Sequence, residues 1–189
     1  MSMSIWKSRI IGAGLLLILS VVVAQSMPAL ASSTSPSIQD QINQVIAAHG
    51  GTQISPNQVA WNDGAVILTI PSSQAATPTP SPKAQAAAVA PAIRSNCPTS
   101  GGWFCFFQDI NYGGRMLQFR DCFTQYFANY GFAGQASSWD NPSNERNLNV
   151  FSSAPPYSFY LWSETHNSRS SWVGSANNDR ADYFDCWLS

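Results

Sequence analysis

The chain has 189 residues, 9 Lys+Arg against 10 Asp+Glu, a formal net charge of −1 and 12% aromatic residues. That length suits one ordinary domain with extensions, and the lack of a basic surplus or of any block of like charge excludes a polyelectrolyte partner such as nucleic acid. All four cysteines and 21 of the 23 aromatics lie from Cys97 onward, so the folded core is expected in the C-terminal half.

Residues 1–31 read as a secretory signal: Lys7 and Arg9 precede the apolar run Ile10–Val23, and Pro28-Ala29-Leu30-Ala31 offers small residues to a cleavage pocket after Ala31. The apolar run is short for a spanning helix, so no membrane association is expected after cleavage. Removing Lys7 and Arg9 leaves seven basic and ten acidic residues, a formal charge of −3. The chain is therefore expected to be secreted, extracellular and monomeric.

Residues 36–70 read as a small helix–hairpin segment. Ile38, Ile42, Val45 and Ile46 share one helical face up to about Ala48, and Gly50-Gly51 stops the helix. Gln58–Trp61 and Ala65–Ile70 read as strands joined by Asn62-Asp63-Gly64. So small a unit is expected to be marginal or to dock on something else. His49 is expected at a solvated helix end. Residues 71–95, with five prolines among Ala, Thr, Ser and Gln, read as a disordered, semi-extended linker. The fragment beyond that linker is accordingly expected to fold alone.

From Asn96 onward, short aromatic or aliphatic runs alternate with Gly, Pro, Asn and Ser clusters, the pattern of an all-β sandwich or barrel. The expected strands are Trp103–Gln108, Arg115–Phe119, Ser137–Asp140, Leu148–Ser152, Ser158–Trp162 and Ala181–Trp187. Tyr126–Phe132 reads either as a strand or as one helical turn. In Trp103–Phe106 the alternation is expected to bury one set of side chains and expose the other. Four cysteines in an exported domain favour disulfides over metal ligation or nucleophilic chemistry. Three connectivities are open. Cys97 and Cys105 flank a segment, Pro98–Gly102, that can turn back, so their pairing is the most local, and Cys122 then pairs with Cys186.

Phe107-x4-Tyr112-Gly113-Gly114 resembles the aromatic hairpin corner of βγ-crystallin Greek keys, and Ser137-Ser138, 23 residues after Gly114, are similar to the paired serines late in that motif. Cys97-Pro…Gly102-Trp-Phe-Cys105 resembles the opening of the secreted bacterial metalloproteinase-inhibitor family, which shares that fold. The resemblance spans about Cys97–Ser189 and implies a two-Greek-key sandwich over residues 96–189. The second key departs from the motif: five residues separate Phe151 from Tyr157, Pro155-Pro156 interrupt the corner, and Phe159 stands in place of the glycine.

The resemblance implies an inhibitor of secreted proteases, metalloproteases above all, that occludes the active site with a rigid loop. The candidate loops are Ser152–Ser158, stiffened by Pro155 and Pro156 beside Tyr157, and Glu164–Trp172, which carries His166 and Trp172. The family's cysteine-paired reactive loop has no aligned counterpart here. A non-catalytic extracellular module that binds calcium or a glycan is the first rival, and a hydrolase, with Asp140 and Glu164 among the carboxylates that could pair, is the second. Exposed tryptophans, Trp172 foremost, would serve a glycan.

Many βγ-crystallin domains bind calcium through Asx pairs and serines exchanged between keys. Each key here keeps only half of that set, which permits one composite site from Asn178, Asp179 and Ser137 and leaves Asp182 without Asx partners. Weak calcium binding, with no required cofactor, is the expectation; otherwise these residues serve as turns. Catalysis has few parts to use: His166 is the sole histidine of residues 96–189, and paired cysteines leave no free thiol. No catalytic residue is assigned.

Overall fold

The computed structural model describes residues 35–72, 94–154 and 157–189. The expected signal, all but the ends of the linker, and Pro155-Pro156 lie outside the described residues. Helix α1, Ile38–His49, opens on a capping box: Ser37 Oγ accepts from the Asp40 amide at 3.1 Å, and the Asp40 carboxylate accepts from the Ser37 amide at 3.2 Å. It ends at Gly50, where φ is +68°. Strands follow as β1 Thr52–Ser55, β2 Gln58–Trp61, β3 Val66–Thr69, β4 Phe104–Asp109, β5 Gly113–Phe119 and β6 Gln125–Tyr126. The remainder are β7 Ser138–Asn141, β8 Arg146–Ala154, β9 Tyr157–Glu164, β10 Ser168–Ser170 and β11 Tyr183–Leu188. Among the described residues no helix is long and apolar enough to cross a membrane.

The strands form two antiparallel sheets, ordered β1-β2-β3-β5-β4-β7-β10 and β6-β11-β8-β9. This is a two-Greek-key sandwich with exchanged third strands. Strands β4, β5 and β7 of the first key share a sheet with β10 of the second, while β8, β9 and β11 of the second share a sheet with β6 of the first. Strand β10 is not among the expected elements, because Ser168-Arg169-Ser170 carries no apolar residue; it exists through pairing with Trp139–Asn141. Tyr126–Phe132 divides into the end of β6 and a single 3-10 turn, Phe127–Tyr130.

The helix–hairpin is no satellite. Strand β3 pairs with β5 from Val66↔Phe119 to Thr69↔Met116, so it extends the β5-β4-β7-β10 sheet, and β1, which sequence did not reveal, extends it further. Ile42, Val45, Val59, Val66, Leu68 and Ile70 join Phe104, Phe106, Phe119, Phe127 and Phe184 in one buried cluster. The expectation that the C-terminal fragment folds without residues 36–70 therefore meets a shared core and a shared sheet. Nor is His49 a solvated helix end. It is half-buried, its carbonyl accepts from Trp61 Nε1 at 3.0 Å, and its imidazole would lie 2.9 Å from a Cβ placed on Gly131.

Strand β4 is buried on both faces, against the expected alternation. Phe104 and Phe106 enter the sandwich core, while Cys105 and Phe107 join Cys97, Met116, Trp103 and Tyr112 in a smaller cluster on the opposite face. Both disulfides are formed as expected, Cys97–Cys105 and Cys122–Cys186.

Candidate functional site

The first-key corner is built as its motif implies. Asn111, Tyr112 and Gly114 all have positive φ (59°, 61° and 69°), and the Phe107 and Tyr112 rings meet edge to face at 5.5 Å. A Cβ on Gly114 would come within 2.7 Å of Asp109 Oδ2, so the glycine is needed for space as well as for φ. The paired serines divide their labour. Ser138 pins the corner, whereas Ser137 Oγ faces Asp179 Oδ1 at 3.4 Å.

The second key replaces that folded corner with a long ribbon. Strands β8 and β9 pair from Leu148↔Glu164 to Ala154↔Tyr157, and Tyr157 to Tyr160 are all exposed, Tyr157 by 70%. The ribbon is tied down next to its turn: the Asp182 carboxylate accepts from the Ser153 amide at 2.7 Å and from Ser152 Oγ at 3.4 Å. The other candidate loop, Glu164–Trp172, is held along its length. Strand β10 pairs with β7, His166 bonds Asn147 Oδ1 through its amide (3.1 Å) and Nδ1 (3.2 Å), and Asn167 N donates to Ser143 O. Trp172 is 53% exposed, with its carbonyl accepting from Ser170 Oγ. Tyr157 and Trp172 are thus exposed on separate segments.

The three calcium candidates do come together. Asp179 has φ +57°, its Oδ2 accepts from Asn178 Nδ2 at 2.6 Å, and Asn178 Oδ1 is buried with no partner among the described residues. These are oxygen donors suited to a hard cation, but they supply a single carboxylate, and its oxygens already accept from Ser137 and Asn178. Asp182, the remnant of a complementary site, spends its carboxylate on Ser152 and Ser153. No group of three or more His, Cys, Asp or Glu converges among the described residues.

Two of the carboxylates that could pair in a hydrolase, Asp140 and Glu164, are buried. Glu164 is fully buried, and burial pushes its pKa well above the carboxylate range, with the Asp140 charge adding to the effect and the Trp162 Nε1 hydrogen bond (2.9 Å) opposing it. Asp140 is raised by burial too, opposed by Ser95 and Arg169. Glu164, with no surface of its own, cannot meet a substrate. The sequence signal for it was faint: an acid two residues after a core tryptophan sits on that tryptophan's side of the strand.

No curated protein matches the sequence. Among solved structures, the chain is similar to a βγ-crystallin domain from Clostridium beijerinckii, with 20% identity over 46% of this chain and 97% of that one and a TM-score of 0.37. A point mutant of that domain gives 22% identity, 44% and 99% coverage and a TM-score of 0.37. A structure described as bearing on the evolution of the eye lens βγ-crystallin domain fold gives 15% identity, 51% and 94% coverage and a TM-score of 0.40. Residues 90–156, which hold the first Greek key and the first strand of the second, match the family model of peptidase inhibitor family I36.

Proposed function

We propose that the chain is a secreted peptidase inhibitor, directed at metallopeptidases, that occludes the target's cleft with the β8–β9 tip, Ser152–Ser158. The match of residues 90–156 to a peptidase inhibitor family carries this reading. The ribbon supplies a means. Tyr157 is exposed, and Ser152 and Ser153 of the same loop are fastened to Asp182, which lowers the ordering entropy lost when a cleft receives the loop. By contrast, the disulfide-closed turn at Pro98–Gly102 has φ of +81° and +71° at Gly101 and Gly102, a curled backbone unlike an extended substrate. Two disulfides suit an oxidising, extracellular setting.

An inhibitor needs no catalytic group. Among the described residues His166 has Asn147 as its side-chain partner rather than a nucleophile. The purified chain should be assayed against a panel of secreted metallo- and serine peptidases. Tyr157→Ala or deletion of Pro155-Pro156 should raise the inhibition constant about tenfold or more, while His166→Ala should leave it nearly unchanged. Absence of inhibition across the panel would end this reading.

A further inference from the structure

The outer face of the β6-β11-β8-β9 sheet carries an aromatic row from edge to edge. Tyr126, Tyr183 and Phe151 lie side by side, with centroids 5.4 and 5.0 Å apart, and the Tyr183 and Phe151 planes differ by 12°. Rings stacked across strands show solvent their edges. Tyr160 ends the row differently: its plane is turned 76° from that of Phe151 at 6.1 Å, and it is 59% exposed.

A β-bulge explains the turn. Val150 pairs with Trp162 but Phe151 pairs with Tyr160, so Leu161 is one residue too many for the partner strand. Leu161 and Trp162 are both buried, and the interrupted alternation puts Tyr160 and Ser163, three apart, on the same outward face. The Tyr160 hydroxyl then reaches along the strand to Ser163 Oγ at 3.0 Å, which donates to Asn149 Oδ1 at 2.6 Å. This chain holds the ring down along β9 and leaves a face free. Asp185 lies opposite Asn149 and continues the polar row on the next strand; the Asp185 Oδ1 accepts from Thr124 Oγ1 at 2.6 Å.

We propose that this face binds a neutral glycan, with the Tyr160 ring stacked on the apolar side of a pyranose and Ser163, Asn149 and Asp185 meeting its hydroxyls. An exposed aromatic face beside a row of hydroxyl, amide and carboxylate groups matches a sugar, which has an apolar face and a polar rim. Charge selects the class. Strands β6, β9 and β11 carry no lysine or arginine, and Arg146, at the far end of β8, lies against Gly102 with its side chain 16% exposed. With Asp185 on the face and no cation on β6, β9 or β11 to offset it, a phosphate, an acidic polysaccharide or a nucleic acid would be disfavoured, although a base could stack. The proposal is independent of the peptidase reading.

The test is calorimetric titration of the purified chain with chitohexaose and cellohexaose, with heparin as the anionic comparison. At least one neutral oligosaccharide should bind, with an affinity insensitive to sodium chloride. Tyr160→Ala should weaken binding about tenfold or more, Tyr160→Phe should weaken it less because the ring survives, and circular dichroism should show both variants folded. The proposal is overturned if neither neutral oligosaccharide binds, if heparin binds in preference, or if Tyr160→Ala leaves affinity unchanged. Sedimentation that shows a second copy covering the face, with dimerisation lost in Tyr160→Ala, would overturn it as well.

Discussion

Ser138 Oγ accepts a hydrogen bond from the Tyr112 amide at 3.0 Å and donates one to the Asp109 carbonyl at 2.7 Å, so one fully buried hydroxyl closes both sides of the first aromatic corner. Residues 26 and 29 positions away in sequence are thereby fastened to β7. Ser138→Ala should lower stability by about 1–3 kcal/mol, because two hydrogen bonds of a fully buried hydroxyl are lost together. Urea unfolding measures it, and a loss well below 1 kcal/mol would show that the corner stands without the serine.

The shared sheet makes the N-terminal segment a structural part of the fold. Leu68 is fully buried and pairs with Leu117 across the β3–β5 ladder. Leu68→Ala should destabilise the whole chain by about 2–5 kcal/mol, with one cooperative transition. Calorimetry that resolved two transitions, or a fragment 95–189 melting at the temperature of the whole chain, would instead support two independent units.

The two disulfides close loops of very different size, with sequence separations of 8 and 64. On the chain-entropy account they restrict the unfolded chain by about 2.5 and about 4.3 kcal/mol respectively. Replacing Cys122 and Cys186 by serine should therefore cost more than replacing Cys97 and Cys105. Equal losses would indicate that native packing around the bridges outweighs loop closure.

Glu164 links stability to pH. Its folded-state pKa stands well above the unfolded value because burial disfavours the charge, so the folded state binds its proton more tightly. The contribution is fully present below the ordinary carboxylate range and is lost as pH rises through the raised value. Stability should thus decline as pH rises through the interval above the ordinary carboxylate range, and Glu164→Gln, which keeps an acceptor for Trp162 Nε1, should flatten the decline and stabilise the protein there. A wild-type profile rising over that range would contradict the assignment.

Calcium should have a small effect. One carboxylate, one amide oxygen and one hydroxyl at Asp179, Asn178 and Ser137 make a sparse ligand set, so affinity is expected no tighter than the millimolar range of extracellular modules. At about 1 mM calcium the mass-action gain is about 0.4 kcal/mol, a shift in melting temperature of about 1–2 °C, and Asp179→Ala should abolish it. Two tight sites in a calorimetric titration would refute this account.

Much of the architecture was legible because local chemistry dictates it. The stop at Gly50 and the Phe107-x4-Tyr112 corner with its glycine depend on residues with strict steric demands, and the preferred cysteine pairing follows from the short turn between Cys97 and Cys105. What stayed hidden depends on partners distant in the chain. Ser168–Ser170 becomes a strand only beside β7, and β4 is buried twice over because a second cluster gathers around the Cys97–Cys105 bridge. The fate of the helix–hairpin belongs to the same class, since sequence shows an amphipathic segment but not the β5 edge that receives it. Tyr160 gives the sharpest case: a period-two pattern sets Ser163 on the opposite face, and only the register shift at Leu161 brings the two hydroxyls together. Side-chain periodicity is a property of one strand, whereas register and bulges are settled by the ladder between two, so the tertiary structure alone decided which polar and aromatic groups share a surface.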